Sequence, residues 1–364
     1  MTPLPIHKFH QDLNARFMEL NGVEAVEDYG EPLREHATLR DQVGIIDLSF
    51  RGRLVLTGTD RRRFLHGQVT NNINDLHPGE GCYAALVTPK GKMQSDLNVY
   101  CLENELVLDF EPGLTERITQ RFGKYIVADD VQVVDVAPHY GLLSIQGPKA
   151  HNVLPQMCPG ITSCPQPMTF TSMRHPEFGE LYFMNQPRVG TRGFDCYVPT
   201  PALETFAKQI IAAVASVGGR PCGWQSMEIA RIEAGIPRFG ADMDETNLLP
   251  EAGIEDRAVS YTKGCYVGQE VIARIRTYGH VAKTLRALRL ADDLKILPKR
   301  GDKIFQGDKE IGYVTSALAS PTLKSNIALG YVRREHNQIG TELCLRTAES
   351  ESMIRIVALP FLKS

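Results

Sequence analysis

Hydrophobic residues follow two different spacings along residues 1–220, which predicts a mixture of helices and strands. Steps of three and four residues, as at Phe9, Leu13, Phe17 and Leu20, place apolar side chains on one helix face. Alternating apolar and polar residues predict strands. The predicted helices span residues 7–20, 33–43, 115–125, 201–217 and 224–234, with another around Phe64 and Leu65, and the predicted strands span 53–57, 83–87, 96–102, 106–110, 131–136, 141–147, 168–173, 181–184 and 194–198. This order of elements indicates an α+β fold.

The pattern changes after Thr284, where short strands separated by glycines replace the helices. Such a run of short strands predicts a small antiparallel β-barrel or sandwich. The predicted strands are 285–290, 303–306, 310–316, 327–332, 342–346 and 353–359.

A glycine-flanked strand followed by a helix occurs twice, at Gly52–Gly58 and again at Gly141–Gly147. This weak repeat suggests two related α+β lobes, and chance similarity of two such units is the alternative. We therefore predict a first α+β lobe over residues 1–140, a second over 141–283 and a barrel over 284–364.

Composition narrows the class of protein. The chain has 364 residues, of which 43% are hydrophobic and 23% charged, enough to bury ordinary cores. Its formal net charge is −3, which argues against a nucleic-acid partner, since such proteins normally carry a basic excess. Neither a signal peptide nor an apolar run of membrane-spanning length is recognisable, so we expect a cytoplasmic protein without a membrane partner.

The chain has eight cysteines, and their spacing does not indicate a metal site. No C-x-x-C pair occurs, and Cys158 and Cys164 are spaced like neither a zinc nor an iron–sulfur motif. We expect neither a bound cluster nor structural zinc. Eight cysteines in a chain of this length also suggest a reducing compartment rather than a disulfide framework.

Lys263–Glu270, with the sequence KGCYVGQE, combines a cysteine, two glycines and a lysine just before a predicted helix over residues 269–276. The N–H groups of a helix start and a nearby Lys263 would both favour the thiolate of Cys265. The alternative is a small buried apolar cysteine, which is the common state of an unoxidised cysteine. We expect a functional Cys265 to be exposed in a loop.

This octet resembles the signature of the YgfZ family of folate-binding proteins, K-G-C-[YF]-x-G-Q-E, at every position. That family is related in fold to the aminomethyltransferase, or T-protein, of the glycine cleavage system. Gly44–Ser49 and Phe64–Asn71 also resemble T-protein motifs. The resemblance implies a T-protein-like arrangement of two α+β lobes and an antiparallel β-barrel around a central folate hole. It also implies tetrahydrofolate, or a derivative, as cofactor, a role in iron–sulfur cluster assembly or repair, and Cys265 as the functional residue.

Asp96 is the second candidate catalytic residue. It begins a predicted strand in which Asp96, Asn98 and Tyr100 share one face, just after the glycine-bearing turn at residues 89–92. A solvent-facing acid at a strand end is the alternative. By resemblance, Asp96 matches the T-protein aspartate that orients or activates the folate nitrogen during methylene transfer.

The predicted folate-binding residues are Asp96, Asp195, Arg231 and Lys263. T-proteins carry the motif T-G-E-x-G-[FY]-E, whose first glutamate grips the pterin ring; Thr191 holds that position here and Asp195 the last. One hydroxyl cannot replace a carboxylate that accepts two N–H bonds. Arg231 matches an arginine that could contact the acidic folate tail, and a salt bridge with Glu228 or Glu233 is the alternative.

The favoured hypothesis is a tetrahydrofolate-binding accessory protein of the YgfZ type, with iron–sulfur client or assembly proteins as partners and Cys265 as a thiolate. The alternative is a folate-dependent aminomethyltransferase, or a related demethylase, that uses Asp96. Whether the protein is an enzyme is therefore open. A folate-storage or structural relative without chemistry is a third option.

Overall fold

The computed structural model describes residues 1–157 and 166–362 of the chain. From the N-terminus the elements are α1 (His7–Asp12), β1 (Arg16–Leu20), β2 (Val23–Asp28), α2 (Pro32–Asp41), β3 (Gly44–Asp47), β4 (Gly52–Thr57), α3 (Arg61–Gln68), β5 (Glu80–Val87), β6 (Met93–Cys101), β7 (Leu106–Phe110), α4 (Thr115–Tyr125), β8 (Gln132–Asp135), β9 (Tyr140–Gln146) and α5 (Leu154–Met157). They continue with β10 (Phe170–His175), β11 (Gly179–Asn185), β12 (Gly193–Pro199), α6 (Leu203–Ser216), β13 (Arg220–Pro221), α7 (Trp224–Glu233), α8 (Leu249–Ala252), α9 (Glu255–Ala258), α10 (Gln269–Tyr278), β14 (Lys283–Arg289), β15 (Lys303–Gln306), β16 (Lys309–Ser320), β17 (Ser325–Arg333), β18 (Glu342–Arg346) and β19 (Glu351–Val357).

The chain divides into two compact units. The first contains Met1–Ala84 and Asp96–Ala230, and the second contains Ala85–Ser95 and the chain from Arg231 onward. Strands β5 and β6 pass from one unit to the other, because the turn that joins them belongs to the second unit. The predicted boundaries at residues 140 and 283 stay predictions.

Besides the two-stranded β1-β2 hairpin, the described residues of the first unit contain two larger sheets. One has five strands in the order β5-β6-β7-β4-β8, and the other has six in the order β10-β11-β12-β9-β3-β13. In the six-stranded sheet β13 runs parallel to β3, while β3 and β9 are antiparallel. Helix α6 packs Phe206, Ile210 and Val214 into the core of this sheet, because these residues recur at helical spacing on its apolar face.

The predicted helix over residues 7–20 is wrong in its second half. Helix α1 ends at Asp12, and Asn14 adopts a positive φ of 59° that breaks the helix. Residues Arg16–Leu20 instead form an antiparallel hairpin with β2. Its two-residue loop is Asn21-Gly22, with φ values of 52° and 84°, the residue pair that a type I′ turn favours.

The second unit contains a closed antiparallel barrel with the strand order β14-β17-β16-β15-β18-β19. Its interior is filled by aliphatic side chains from every strand, including Leu288, Ile304, Val314, Leu343 and Ile356. The alternation of these residues with polar neighbours is the pattern that predicted the strands. The α+β fold with a C-terminal antiparallel barrel is therefore confirmed.

The length and the hydropathy of a helix decide whether it could cross a membrane. Within residues 1–157 and 166–362, none of the helices is both long enough and apolar enough to cross a bilayer.

Candidate functional site

Asp96 lies on a partly buried face of β6, which begins at Met93 and not at Asp96 as predicted. The phenol Oη of Tyr83 on β5 donates a hydrogen bond of 2.8 Å to Asp96 Oδ2. Burial and the nearby charge of Glu111 raise the pKa of Asp96 to about 6, although the Tyr83 hydrogen bond and Arg51 act in the opposite direction. A carboxyl with this pKa can hold or release a proton near neutral pH.

A buried cluster of alternating charges lies in the same unit. Arg51 Nε lies 2.7 Å from Asp109 Oδ1, and Arg51 Nη1 also pairs with Glu111. Arg188 then joins Asp109 to Asp195, with its Nη2 2.9 Å from Asp109 Oδ2 and 2.5 Å from Asp195 Oδ2. Although burial opposes ionisation, the two arginines hold the pKa of Asp109 well below its usual range.

Asp195, a predicted folate-binding residue, is fully buried on β12. Its Oδ1 accepts a hydrogen bond of 2.7 Å from Ser144 Oγ, and Arg188 Nε lies 2.9 Å from its Oδ2. Burial raises the pKa of Asp195 despite the charge of Arg188. Within the chain, therefore, the carboxylate already has partners for both oxygens.

Thr191, at the position that resembles the pterin-gripping glutamate, presents a buried hydroxyl. Its Oγ1 has no hydrogen-bond partner among the residues that the structure describes. A buried unpaired hydroxyl is unfavourable and is suited to pairing with one polar atom of a ligand. It cannot accept the two parallel N–H bonds that a carboxylate accepts.

Arg231 lies near the end of α7 and is buried. Its guanidinium pairs with Asp242 and donates a hydrogen bond of 3.1 Å from Nη2 to Ser316 Oγ. Asp242 is thus a partner that the sequence argument did not name. The carboxylate of Glu233, one of the two expected partners, accepts hydrogen bonds from the hydroxyls of Ser320 and Thr322. A role for Arg231 toward folate stays a prediction.

The octet Lys263–Glu270 forms a loop that leads into α10, as predicted from its glycines and the helical pattern that follows. Cys265 is exposed, so the alternative of a buried apolar cysteine is wrong. Lys263 is buried, and its Nζ lies 4.8 Å from the centroid of the Tyr266 ring, a cation–π contact. The role of Lys263 in folate binding stays a prediction.

Gly268 fixes how this loop meets the turn between β5 and β6. It has a φ of +84°, and a Cβ added there would lie 2.5 Å from the carbonyl oxygen of Thr88. Only glycine satisfies both conditions, since other residues disfavour positive φ and need the space of a side chain. Val271, three residues after Gly268, packs against Gly91 of the same turn. A Cβ added at Gly91 would lie 3.1 Å from the Cβ of Val271. The octet is therefore held against residues 88–91.

The turn itself is firmly hydrogen-bonded. Gly91 N donates to Thr88 O and Thr88 N donates to Lys92 O, both at 2.8 Å. Met93 N donates to Asn247 O at 3.0 Å, which attaches the start of β6 to the loop before α8. This bonding gives β6, the strand that carries Asp96, a fixed starting point.

The cysteines give no cluster site in the described part of the chain. Cys158 and Cys164 lie outside the described residues. Among residues 1–157 and 166–362, no three His, Cys, Asp or Glu side chains are grouped so that they could hold a metal ion.

Sequence reasoning missed Tyr83, Arg51 and Glu111, which surround Asp96. Two acids stand at alternate positions, Asp109 within the strand and Glu111 just after it, and this was a local signal for a polar face. Nothing in the local sequence links them to Arg51, because that pairing depends on the order of strands in the sheet.

Comparison with family models covers nearly the whole chain. Residues 6–263 match the GCVT N-terminal domain, and residues 283–363 match the glycine cleavage T-protein C-terminal barrel domain.

Two relatives matched by sequence and one solved structure are similar to nearly the whole chain. An aminomethyltransferase of Bacillus pumilus is 26% identical over 360 residues, which cover 99% of this chain and 98% of that protein. An aminomethyltransferase of Thermosynechococcus vestitus is 29% identical over 365 residues, covering 98% and 94%. The crystal structure of the glycine cleavage system aminomethyltransferase T from Bartonella henselae has the same fold, with a TM-score of 0.87 at 20% identity, over 99% of this chain and 98% of that one.

Proposed function

Because the chain belongs to the glycine cleavage T-protein (aminomethyltransferase) superfamily, we propose that it binds a tetrahydrofolate and catalyses folate-dependent aminomethyl transfer, or a related demethylation. The observation that carries this proposal is Asp96, a partly buried carboxyl that accepts a hydrogen bond from Tyr83 and has a pKa of about 6. Curated relatives matched over almost their full length are named aminomethyltransferases, which supports the same activity.

The residues present fit a tetrahydrofolate at Asp96 and fit it less well at the pterin edge. The unpaired Oγ1 of Thr191 can bond one polar atom of the ring. To bind the pterin ring directly, the Asp195 carboxylate would have to break its hydrogen bond with Arg188 or with Ser144. We therefore expect weaker pterin binding than a carboxylate at residue 191 would give. Asp195, Arg231 and Lys263 remain candidate contacts for the rest of the molecule.

When bound, tetrahydrofolate would supply the nitrogens that accept a one-carbon unit. Asp96 would move the proton that this exchange requires. With a pKa of about 6, about one-tenth of its carboxyl groups are protonated at pH 7, so both forms are available for acid and base steps. Tyr83 holds the carboxyl in one orientation through Oδ2.

The proposal is tested with purified protein, tetrahydrofolate and an aminomethyl-loaded carrier. Ammonia and methylenetetrahydrofolate should form together, and Asp96→Asn should lower kcat by about 100-fold or more. Asp12→Asn, an exposed acid at the end of α1, is the matched control and should leave the rate unchanged. Wild-type protein that produces neither compound above background would exclude the transferase.

A second candidate is the YgfZ-type accessory role in iron–sulfur cluster assembly or repair. Two observations favour it: Cys265 is exposed within an intact octet, and Thr191 replaces the pterin-gripping glutamate. In this case the protein would bind a tetrahydrofolate, and Cys265 would act as a thiolate toward client or assembly proteins. Cells in which Cys265→Ser protein fully supports an iron–sulfur enzyme would contradict this candidate.

A further inference from the structure

The register of β6 and β7, extended beyond its last pair, brings Asp96 and Glu111 to opposite positions. The register of β6 and β7 pairs Asn98 with Asp109, and their side chains are bonded through Asn98 Nδ2 and Asp109 Oδ2 at 2.9 Å. Continuing this antiparallel register by two residues places Asp96 opposite Glu111, one residue beyond the end of β7. Residues opposite each other share one face of the sheet and have Cβ atoms about 5 Å apart.

Glu111 is held in place by Arg51. Glu111 and Arg51 are both buried, and the guanidinium binds Glu111 through Nη1 and Asp109 through Nε. The fork that Arg51 makes with Asp109 fixes the guanidinium, and the fixed guanidinium in turn holds Glu111 through Nη1. Because Glu111 is shielded from water, its charge acts on neighbouring groups with little screening.

We propose that Glu111, held by Arg51 and lying across the β6–β7 pair from Asp96, is a positioning residue whose negative charge influences how Asp96 gains and loses its proton. Like charges opposite each other on a sheet are unfavourable, and protonation of Asp96 removes that repulsion. The value of this proton to catalysis rests on the proposed transferase function. The electrostatic effect of Glu111 on Asp96 does not depend on that function.

Among the described residues, Tyr83, Arg51 and Glu111 are titratable groups that act on Asp96 from the elements around it. Tyr83 on β5 donates a hydrogen bond, Arg51 before β4 contributes positive charge, and Glu111 beyond β7 contributes negative charge. Tyr83 and Arg51 favour the ionised carboxyl, whereas Glu111 favours the protonated one. Of the three, Glu111 is the group whose neutralisation should lower the pKa of Asp96.

The test is a carbon-13 NMR titration of the side-chain carboxyl groups without folate, in which the Asp96 signal is assigned by its loss in Asp96→Asn. Glu111→Gln keeps the shape of the side chain and should lower the pKa of Asp96 by about one unit. Glu103→Gln makes the same charge change at the exposed far end of the β6–β7 hairpin and should leave it unchanged. A pKa that stays near 6 in Glu111→Gln would overturn the proposal.

A second variant covers failure of Glu111→Gln to fold. Glu111→Asn removes the same charge with a shorter side chain, so the pKa of Asp96 should again fall by about one unit, and no shift would again overturn the proposal. Failure of the proposed function has a separate signature. If Asp96→Asn retains full transfer activity while Glu111→Gln still shifts the titration, the transferase role of Asp96 is wrong and the positioning role stands.

Discussion

Tyr83 Oη donates to Asp96 Oδ2 at 2.8 Å, so a phenol on β5 stabilises the ionised form of the carboxyl on β6. Tyr83→Phe removes this hydrogen bond and should raise the pKa of Asp96 above about 6, because the ionised form loses its donor. The same carboxyl titration measures the shift. Tyr125→Phe, an exposed tyrosine at the end of α4, is the control. A downward shift in Tyr83→Phe would show that the bond favours the protonated acid instead.

Asp96 should make the stability of the fold depend on pH. Its pKa is about 6 in the folded chain and about 3.9 in an unfolded chain, so the folded state binds the proton more tightly. Its favourable contribution is therefore present below about pH 4 and is lost as the pH rises through 6. The Tm of Asp96→Asn should equal that of wild type at about pH 4 and exceed it above pH 6. Thermal melts from pH 4 to pH 8 measure this, and a Tm difference independent of pH would contradict it.

Tyr197 and Tyr100 are both buried but differ in hydrogen bonding, so the stabilities of their phenylalanine variants can be compared. Tyr197 Oη has no hydrogen-bond partner among the described residues, whereas Tyr100 Oη donates to Gln186 Oε1 at 3.3 Å. Tyr197→Phe should leave the free energy of unfolding unchanged or raise it, because a buried unpaired hydroxyl is removed. Tyr100→Phe should lower it by about 1 kcal/mol, because Gln186 loses its donor. Urea titrations of both variants give the values, and the reverse order would contradict the hydrogen-bond assignment.

A pair of glycine variants in the second unit tests how the octet Lys263–Glu270 is held against residues 88–91. Gly268→Ala adds a methyl group 2.5 Å from Thr88 O at a φ of +84° and should destabilise the unit. Gly253→Ala is the control, because Gly253 also has a positive φ, +71°, but no atom lies within 4 Å of the added carbon. In both variants an alanine at positive φ should lower the free energy of unfolding by about 1 kcal/mol. In Gly268→Ala the contact with Thr88 O should lower it further. Equal losses in unfolding free energy would mean that the loop moves away from the turn without cost.

The strands of the barrel could be predicted because their apolar residues alternate and glycines mark their ends. The hairpin at residues 16–28 was missed although Asn21-Gly22 is a strong turn signal, because Phe17 and Leu20 continued the helical spacing of Phe9 and Leu13. Asp96 could be proposed from its strand and its family resemblance. The pairing of Arg51 with Glu111 could not, because 60 residues separate them in the chain and only strand order brings them together.

The measurement that tests the central claim most directly is a rescue experiment in cells that lack the gene for this protein. Glycine cleavage and an iron–sulfur enzyme are assayed in the same cells after wild type, Asp96→Asn or Cys265→Ser is returned. We predict that glycine cleavage falls in the deletion strain, that wild type and Cys265→Ser restore it, and that Asp96→Asn does not. Loss of the iron–sulfur enzyme alone, restored by Asp96→Asn but not by Cys265→Ser, would contradict the transferase and support the accessory role.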